Sequence, residues 1–187
     1  MIEQLDRQLL LILNSANSPF WDDVMFFVSM KLVWIPLYLA ILIYLAREYR
    51  KSFLLLVLCL ILSVVLADQL SNLIKDLTAR PRPSHETSIQ GLVHTVNGYV
   101  GGAFGFVSSH AANSFNVALF SLLLIRRKWY SAFILLWAAT VSYSRIYLGV
   151  HYPGDIICGA VLGILTGWVS YSLFRYYENR IFLRRRR

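Results

Sequence analysis

Residues 53–74 read FLLLVLCLILSVVLADQLSNLI, and this stretch decides how the chain is understood. Its first fifteen residues, Phe53 to Ala67, carry no charge; Asp68, Gln69 and Asn72 then interrupt the apolar run. About 20 mainly apolar residues in a helix cross the hydrocarbon core of a bilayer. Comparable runs lie at 24-46, 108-125, 130-147 and 156-174, the first broken only by Lys31. In water such runs would be buried helices, but five of them in 187 residues leave no polar exterior to cover them. The expectation is an all-α membrane protein, a bundle of about five transmembrane helices (24-46, 53-74, 108-125, 130-147, 156-174) in a single domain, 1-187.

Composition agrees. The chain is 57% hydrophobic and 15% charged, against about 45–50% and 25% in ordinary soluble domains. That much apolar surface excludes intrinsic disorder. The formal charge is nevertheless +8, so the location of the basic residues matters. Twelve of the 18 Lys and Arg residues fall in three places: Arg47, Arg50 and Lys51; Arg126, Arg127 and Lys128; and Arg175, Arg180 and Arg184 to Arg187. With five spans these segments share one side, the cytoplasmic one by the positive-inside bias. The long link 75–107 and the link 145–155 then face outward. Nucleic acid is disfavoured as a partner, because no basic stripe is interleaved with exposed aromatics.

Leu5, Leu9, Leu10 and Leu13 recur at helical spacing, with Asp6, Arg7 and Gln8 on another face. This pattern predicts an N-terminal interfacial amphipathic helix rather than a secretory signal, which has a basic start and a longer apolar centre. Cys59 and Cys158 both sit inside apolar runs and read as small buried hydrophobes. Gly159, Gly163 and Gly167 form a small-residue stripe suited to close helix packing.

Six basic residues remain, and four of them, Lys75, Arg80, Arg82 and Arg145, lie at the outward ends of spans or in outward links. Positive charge there runs against the cytoplasmic bias. Ionisable groups beside membrane spans are functional candidates by default. His110 begins the third span, and His151 and Asp155 precede the fifth. Cations, two imidazoles and a carboxylate on one membrane face suit chemistry on a phosphate. Cations neutralise the phosphoryl oxygens. One imidazole attacks phosphorus, a carboxylate fixes its tautomer, and a second imidazole protonates the leaving oxygen.

These residues fall into three blocks: Lys75 with Arg82-Pro83; Val107-Ser108-Ser109-His110; and Ser144-Arg145 with His151 and Asp155. In this the chain resembles the type-2 phosphatidic acid phosphatase superfamily of membrane lipid phosphatases, which shares its phosphate-site motifs with the vanadium haloperoxidases. The membrane spans argue against a haloperoxidase. The first and third blocks match the family pattern, Lys-x6-Arg-Pro and Ser-Arg-x5-His-x3-Asp. The second departs from Pro-Ser-Gly-His: Val107 replaces the proline and Ser109 the glycine. Glycine lets a backbone approach phosphate closely, so the departure bears on fine geometry more than on the reaction.

The resemblance implies a role for each residue. His151 is expected as the nucleophile forming a phosphohistidine, oriented by Asp155. His110 is expected as general acid and then base. Lys75, Arg82 and Arg145 are expected to hold the phosphoryl oxygens, with Ser108 and Ser109 donating hydrogen bonds. No metal and no cofactor are implied. Arg80 lies outside the motif and reads either as a substrate contact or as a solvated loop charge. His85 and His94 read as loop residues without zinc-like spacing. Asp68, Asn72 and Lys75 share one helix face, as support for Lys75 or as polar packing. The glycine-rich link 84–107 is expected to pack on the outer leaflet and shape the lipid entrance.

The expected activity is hydrolysis of a lipid phosphomonoester or pyrophosphate at the outer face of a bacterial inner membrane. The leading substrates are undecaprenyl pyrophosphate and the lipid A phosphates. Phosphatidylglycerol phosphate and phosphatidic acid are the alternatives. A non-enzymatic lipid-phosphate binder or transporter fits less well, because anion binding alone needs only the cations.

Overall fold

The computed structural model describes residues 1–183; the basic run Arg184 to Arg187 lies outside the described residues. The described residues form seven α-helices: α1 (Ile2–Ser15), α2 (Pro19–Ser29), α3 (Ile35–Glu48), α4 (Phe53–Thr78), α5 (Ser109–Ile125), α6 (Lys128–Tyr147) and α7 (Pro153–Glu178). The all-α expectation is met. The helices α4 and 153–181 are each long and apolar enough to cross a membrane.

The span expected over 24-46 is not one helix. α2 ends at Met30, whose backbone is extended, and a 3-10 turn over Lys31–Trp34 leads into α3. The two arms meet at 69°. Pro36 has no N–H and is tolerated only in the first turn of a helix, so the chain restarts there instead of continuing α2. By length and composition the candidate spans number two, or three if this bent pair is one span. The five-span count is therefore met only in part. α5 is apolar but has only 17 residues, and α6 carries several Ser and Thr residues and Arg145.

The reason α5 departs from a lipid-facing composition is its position. It is the central helix, packed against α4, α6 and α7, and Ser114, Asn116, Phe120 and Ser121 are all buried. The glycine stripe of α7 lies against it. A Cβ on Gly163 would sit 2.1 Å from the Ala112 carbonyl oxygen, and one on Gly159 would sit 2.5 Å from that of Ser108. Only a hydrogen in place of the side chain lets the two backbones meet. Asn116 ties three helices together, donating 2.7 Å to Thr166 Oγ1 on α7 and pairing with Ser63 on α4. In an apolar bundle these buried amides and hydroxyls satisfy one another, which fixes helix register.

Contacts sort the chain into two ends. Tyr49 donates to the Leu124 carbonyl at 3.3 Å, Ser52 to Glu178 at 2.9 Å, and Arg126 to Tyr171 at 3.0 Å. The described basic segments 47–51, 126–128 and 175–180 thus gather at one end. The motif residues gather at the other.

α1 docks at the motif end by one line of residues four apart. Asp6 reaches α7, Leu10 enters a cluster with Ile89, Val93, Ile146 and Tyr152, and Asn14 donates to the carbonyls of His94, Ile146 and Tyr147. Its apolar residues Ile2, Leu5, Leu9 and Ile12 are left exposed. Both cysteines are free; Cys158 faces outward from the bundle rather than into it.

Candidate active site

The site is assembled where α4 stops. Ala79 adopts the left-handed conformation (φ 46°) and closes the helix by donating to the Lys75 carbonyl. The chain then runs extended through Arg80-Pro81-Arg82 and pairs with 103–105: the Arg82 N–H donates 3.1 Å to the Ala103 carbonyl and the Gly105 N–H 2.9 Å to that of Arg80. In extended backbone, residues two apart point the same way. Arg80 and Arg82 therefore both reach across to the start of α7.

Arg82 Nη1 lies 3.0 Å from His151 Nε2 and donates 3.1 Å to the Val150 carbonyl. The opposite ring nitrogen, Nδ1, faces Asp155 Oδ2 at 3.3 Å. This geometry holds the imidazole as its Nδ1–H tautomer and leaves the Nε2 lone pair toward the arginine. Asp155 Oδ2 also accepts the Tyr152 N–H at 3.0 Å, closing a capping box at the first turn of α7. His151 is buried, and burial, followed by the charges of Arg82, Arg145 and Lys75, holds its imidazole well below the ordinary value. The imidazole is thereby kept neutral.

A cavity of about 450 Å³ opens over this dyad, walled by Lys75, Arg82, Tyr99, Ser109, His110, Arg145 and His151, with Lys31 and Asp68 at its margin. Seven of the eight residues singled out from the motifs either line it or, as Asp155 does, contact a residue that lines it. The exception is Ser108. It is wholly buried and its Oγ accepts the Ala111 N–H as the N-cap of α5, so here it is a helix cap rather than a wall of the cavity. Ser109, in the glycine position of the motif, accepts from Lys75 Nζ. The Phe106–Val107 peptide, one residue before Ser108, is cis. The His110 ring faces the backbone of Ser29. Arg145 donates to Ser29 Oγ and, at 2.9 Å, to Tyr99 Oη. The break after α2 is what brings Ser29 to these two side chains.

The loop over the site is held close. A Cβ on Gly105 would lie 3.0 Å from Asp155 Oδ2 and 3.3 Å from Arg82 Cγ, and Gly101 (φ +68°) presses on the Arg82 guanidinium. Part of the 84–107 link therefore roofs the site. The Nε atoms of Arg82 and Arg145 are buried without a hydrogen-bond partner among the described residues. Burial and the neighbouring Arg145 charge also push the Arg82 guanidinium down from its ordinary value. Four cationic side chains, Lys31, Lys75, Arg82 and Arg145, line one cavity, and an oxyanion there would relieve their repulsion. Among the described residues no group of three or more His, Cys, Asp or Glu side chains could hold a metal ion.

Three residues at this end were missed or misread from the sequence. Arg80 is no solvated loop charge. It donates 2.7 Å to Asp155 Oδ1 and 2.8 Å to Asp6 Oδ2. Asp6, read only as part of the polar face of α1, also accepts the Gly154 N–H at 2.7 Å. The one signal in the sequence was its spacing from Leu10 and Asn14. His94 is not a bare loop residue either: it pairs with Asp22 at 2.9 Å.

An imidazole–carboxylate dyad beneath three cations, at one end of a helical membrane bundle, defines a phosphate-handling membrane enzyme. Residues 54–179 match the PAP2 superfamily, and the chain belongs to that family, as a membrane lipid phosphatase. Over 183 residues it is 46% identical to the lipid A 4'-phosphatase of Bacteroides thetaiotaomicron, covering 96% of this chain and 81% of that protein. It is 38% identical over 181 residues to the lipid A 4'-phosphatase of Porphyromonas gingivalis, covering 96% and 77%. Among solved structures it is similar to LpxE from Aquifex aeolicus, with a TM-score of 0.71, 27% identity, and coverage of 90% and 95%.

Proposed function

We propose that this protein removes the 4'-phosphate of lipid A at the outer face of a bacterial inner membrane. The observation that carries the reaction class is the convergence of Lys75, Arg82 and Arg145 on the cavity beside His151 Nε2. The substrate rests on the 46% identity to a lipid A 4'-phosphatase. The outward orientation rests on the basic segments, which sit at the end opposite the site. The spans are then the α2–α3 pair, α4, α5, α6 and α7.

In the reaction, the three cations hold the phosphoryl oxygens and the α5 N-terminus, with Ser109, faces them. His151 Nε2 attacks phosphorus, forming the N–P bond as the P–O ester bond breaks. His110 gives its proton to the departing sugar oxygen. Asp155 accepts the Nδ1–H and stabilises the ring as it becomes positive. His110 then takes a proton from water, whose oxygen attacks phosphorus; the N–P bond breaks and inorganic phosphate leaves.

The test is phosphate release by purified protein from a panel of bis-phosphorylated lipid A, undecaprenyl pyrophosphate, phosphatidylglycerol phosphate and phosphatidic acid, with and without vanadate. Vanadate-sensitive loss of the phosphate on the distal glucosamine, located by mass spectrometry, is expected. Preferential turnover of another lipid in the panel would replace the substrate. Binding without turnover of any would leave a lipid-phosphate binder.

A further inference from the structure

Arg80 sits between two carboxylates and, unlike Arg82 and Arg145, does not line the cavity. Asp155 is wholly buried, and its two oxygens divide their partners. Oδ2 takes the His151 ring and the Tyr152 N–H; Oδ1 takes Arg80. Arg80 therefore fixes the rotation of the carboxylate and supplies the countercharge that lets it stay ionised out of water. Its guanidinium plane lies over the Tyr152 ring, 4.1 Å from the centroid, which restricts where its two N–H arms point. The second arm ends on Asp6, and Asp6 is itself held by the Gly154 N–H in the first turn of α7.

We propose that Arg80 and Asp6 are positioning residues for the Asp155–His151 dyad, so that the interfacial helix α1 is a structural part of the active site. This rests on the catalytic reading of His151 given above. Asp6 aims one arm of Arg80, the other arm aims Asp155, and Asp155 aims Nδ1–H of His151. Leu10 and Asn14 hold α1 in register for this contact. Neither Arg80 nor Asp6 touches the phosphate. Their loss lowers the rate at which His151 reacts, not the grip on substrate.

The experiment measures kcat and KM of the purified full-length protein on a lipid phosphate monoester. It compares Arg80→Gln, Asp6→Asn, the double variant, Arg80→Lys and His151→Ala. Loss of a group that orients a reacting side chain lowers turnover by about 10- to 100-fold. Arg80→Gln is expected to show that loss with KM within about threefold. Asp6→Asn is expected to lose less, and the double variant no more than Arg80→Gln alone, because residues acting through one chain are not additive. Lysine keeps the charge but lacks the planar fork that spans two carboxylates, so Arg80→Lys is expected to restore turnover only in part. Should Arg80→Gln fail to fold, Asp6→Asn and Arg80→Lys decide the matter. Unchanged kcat in these variants, a rise in KM at constant kcat, or multiplicative losses in the double variant would overturn the proposal. Activity persisting in His151→Ala overturns the catalytic reading beneath it. An inactive His151→Ala beside wild-type turnover in Arg80→Gln and Asp6→Asn overturns the positioning alone.

Discussion

Positive charge is handled in opposite ways at the two ends of this bundle. At one end Arg47, Arg50, Lys51 and Arg126 to Lys128 lie in or beside short links, where water and lipid headgroups screen them. Arg126 is satisfied by a tyrosine and Arg175 by Glu178. At the other end Arg82 and Arg145 are buried, with one donor each left without a partner among the described residues. The first arrangement costs little and, on the proposed function, sets orientation. The second is held by hydrogen bonds to Val150, His151, Ser29 and Tyr99 and, on the same proposal, gains an anionic partner when substrate binds. Like residue types are thus exposed at one end and buried at the other, and burial is what separates them.

The largest effect expected is at the site end. His151→Ala should lower phosphate release by about 10⁴-fold or more, as removal of a nucleophile does in other covalent hydrolases, with no phosphoenzyme in an alkali-quenched burst that preserves an N–P bond. Arg82→Gln should lose about 10²- to 10³-fold, the scale of removing a main stabiliser of transition-state charge. It should also shift the pH profile. In the wild type His151 stays neutral because burial and three cations oppose its protonation. The acid limb of kcat/KM assigned to His151, which reports the free enzyme, should therefore lie below the ordinary imidazole range. Removing one cation makes protonation easier, so in Arg82→Gln that limb should move up in pH. A limb that stays put would show that the Arg82 charge does not contribute to keeping the imidazole neutral.

Gly163→Ala probes the scaffold between the two ends. Its Cβ would meet the Ala112 carbonyl, and overpacking of this kind costs about 1–3 kcal/mol. The expected reading is a lower midpoint in thermal unfolding with KM unchanged. At the basic end, replacing Arg47, Arg50 and Lys51 together by Gln should change kcat and KM by less than about twofold. It should weaken the orientation bias, read by accessibility of a tag in the 49–52 link. A large loss of turnover there would break the contrast between the two ends.

Much of the site was legible because it is carried by short motifs. Lys75, Arg82, Arg145, His110, His151 and Asp155 stand at spacings that the sequence displays directly, and the structure brings them to one end. The glycine stripe was legible too, since a four-residue repeat maps onto one helix face. The bend after Ser29 was not: the apolar run 24–46 looks continuous, and Pro36, where the chain restarts as α3, is a single residue inside it. The capping role of Ser108 was not read, because a serine before a helix reads equally well as a donor or as a cap. Arg80 escaped because its partners, Asp6 and Asp155, lie 74 and 75 residues away.

By itself the sequence determined the all-helical membrane character, the two populations of basic residues and the family motifs that carry the candidate site. These follow from hydropathy, charge placement and local spacing, which need no three-dimensional information. Only the tertiary structure decided which cations lack a carboxylate partner among the described residues, that His151 turns Nδ1 to Asp155 and Nε2 to Arg82, and that the N-terminal helix reaches Asp155 through Arg80. Those depend on which residues meet across the bundle, and in a buried, weakly screened site a difference of one partner decides whether an arginine holds a carboxylate in place or waits for a phosphate.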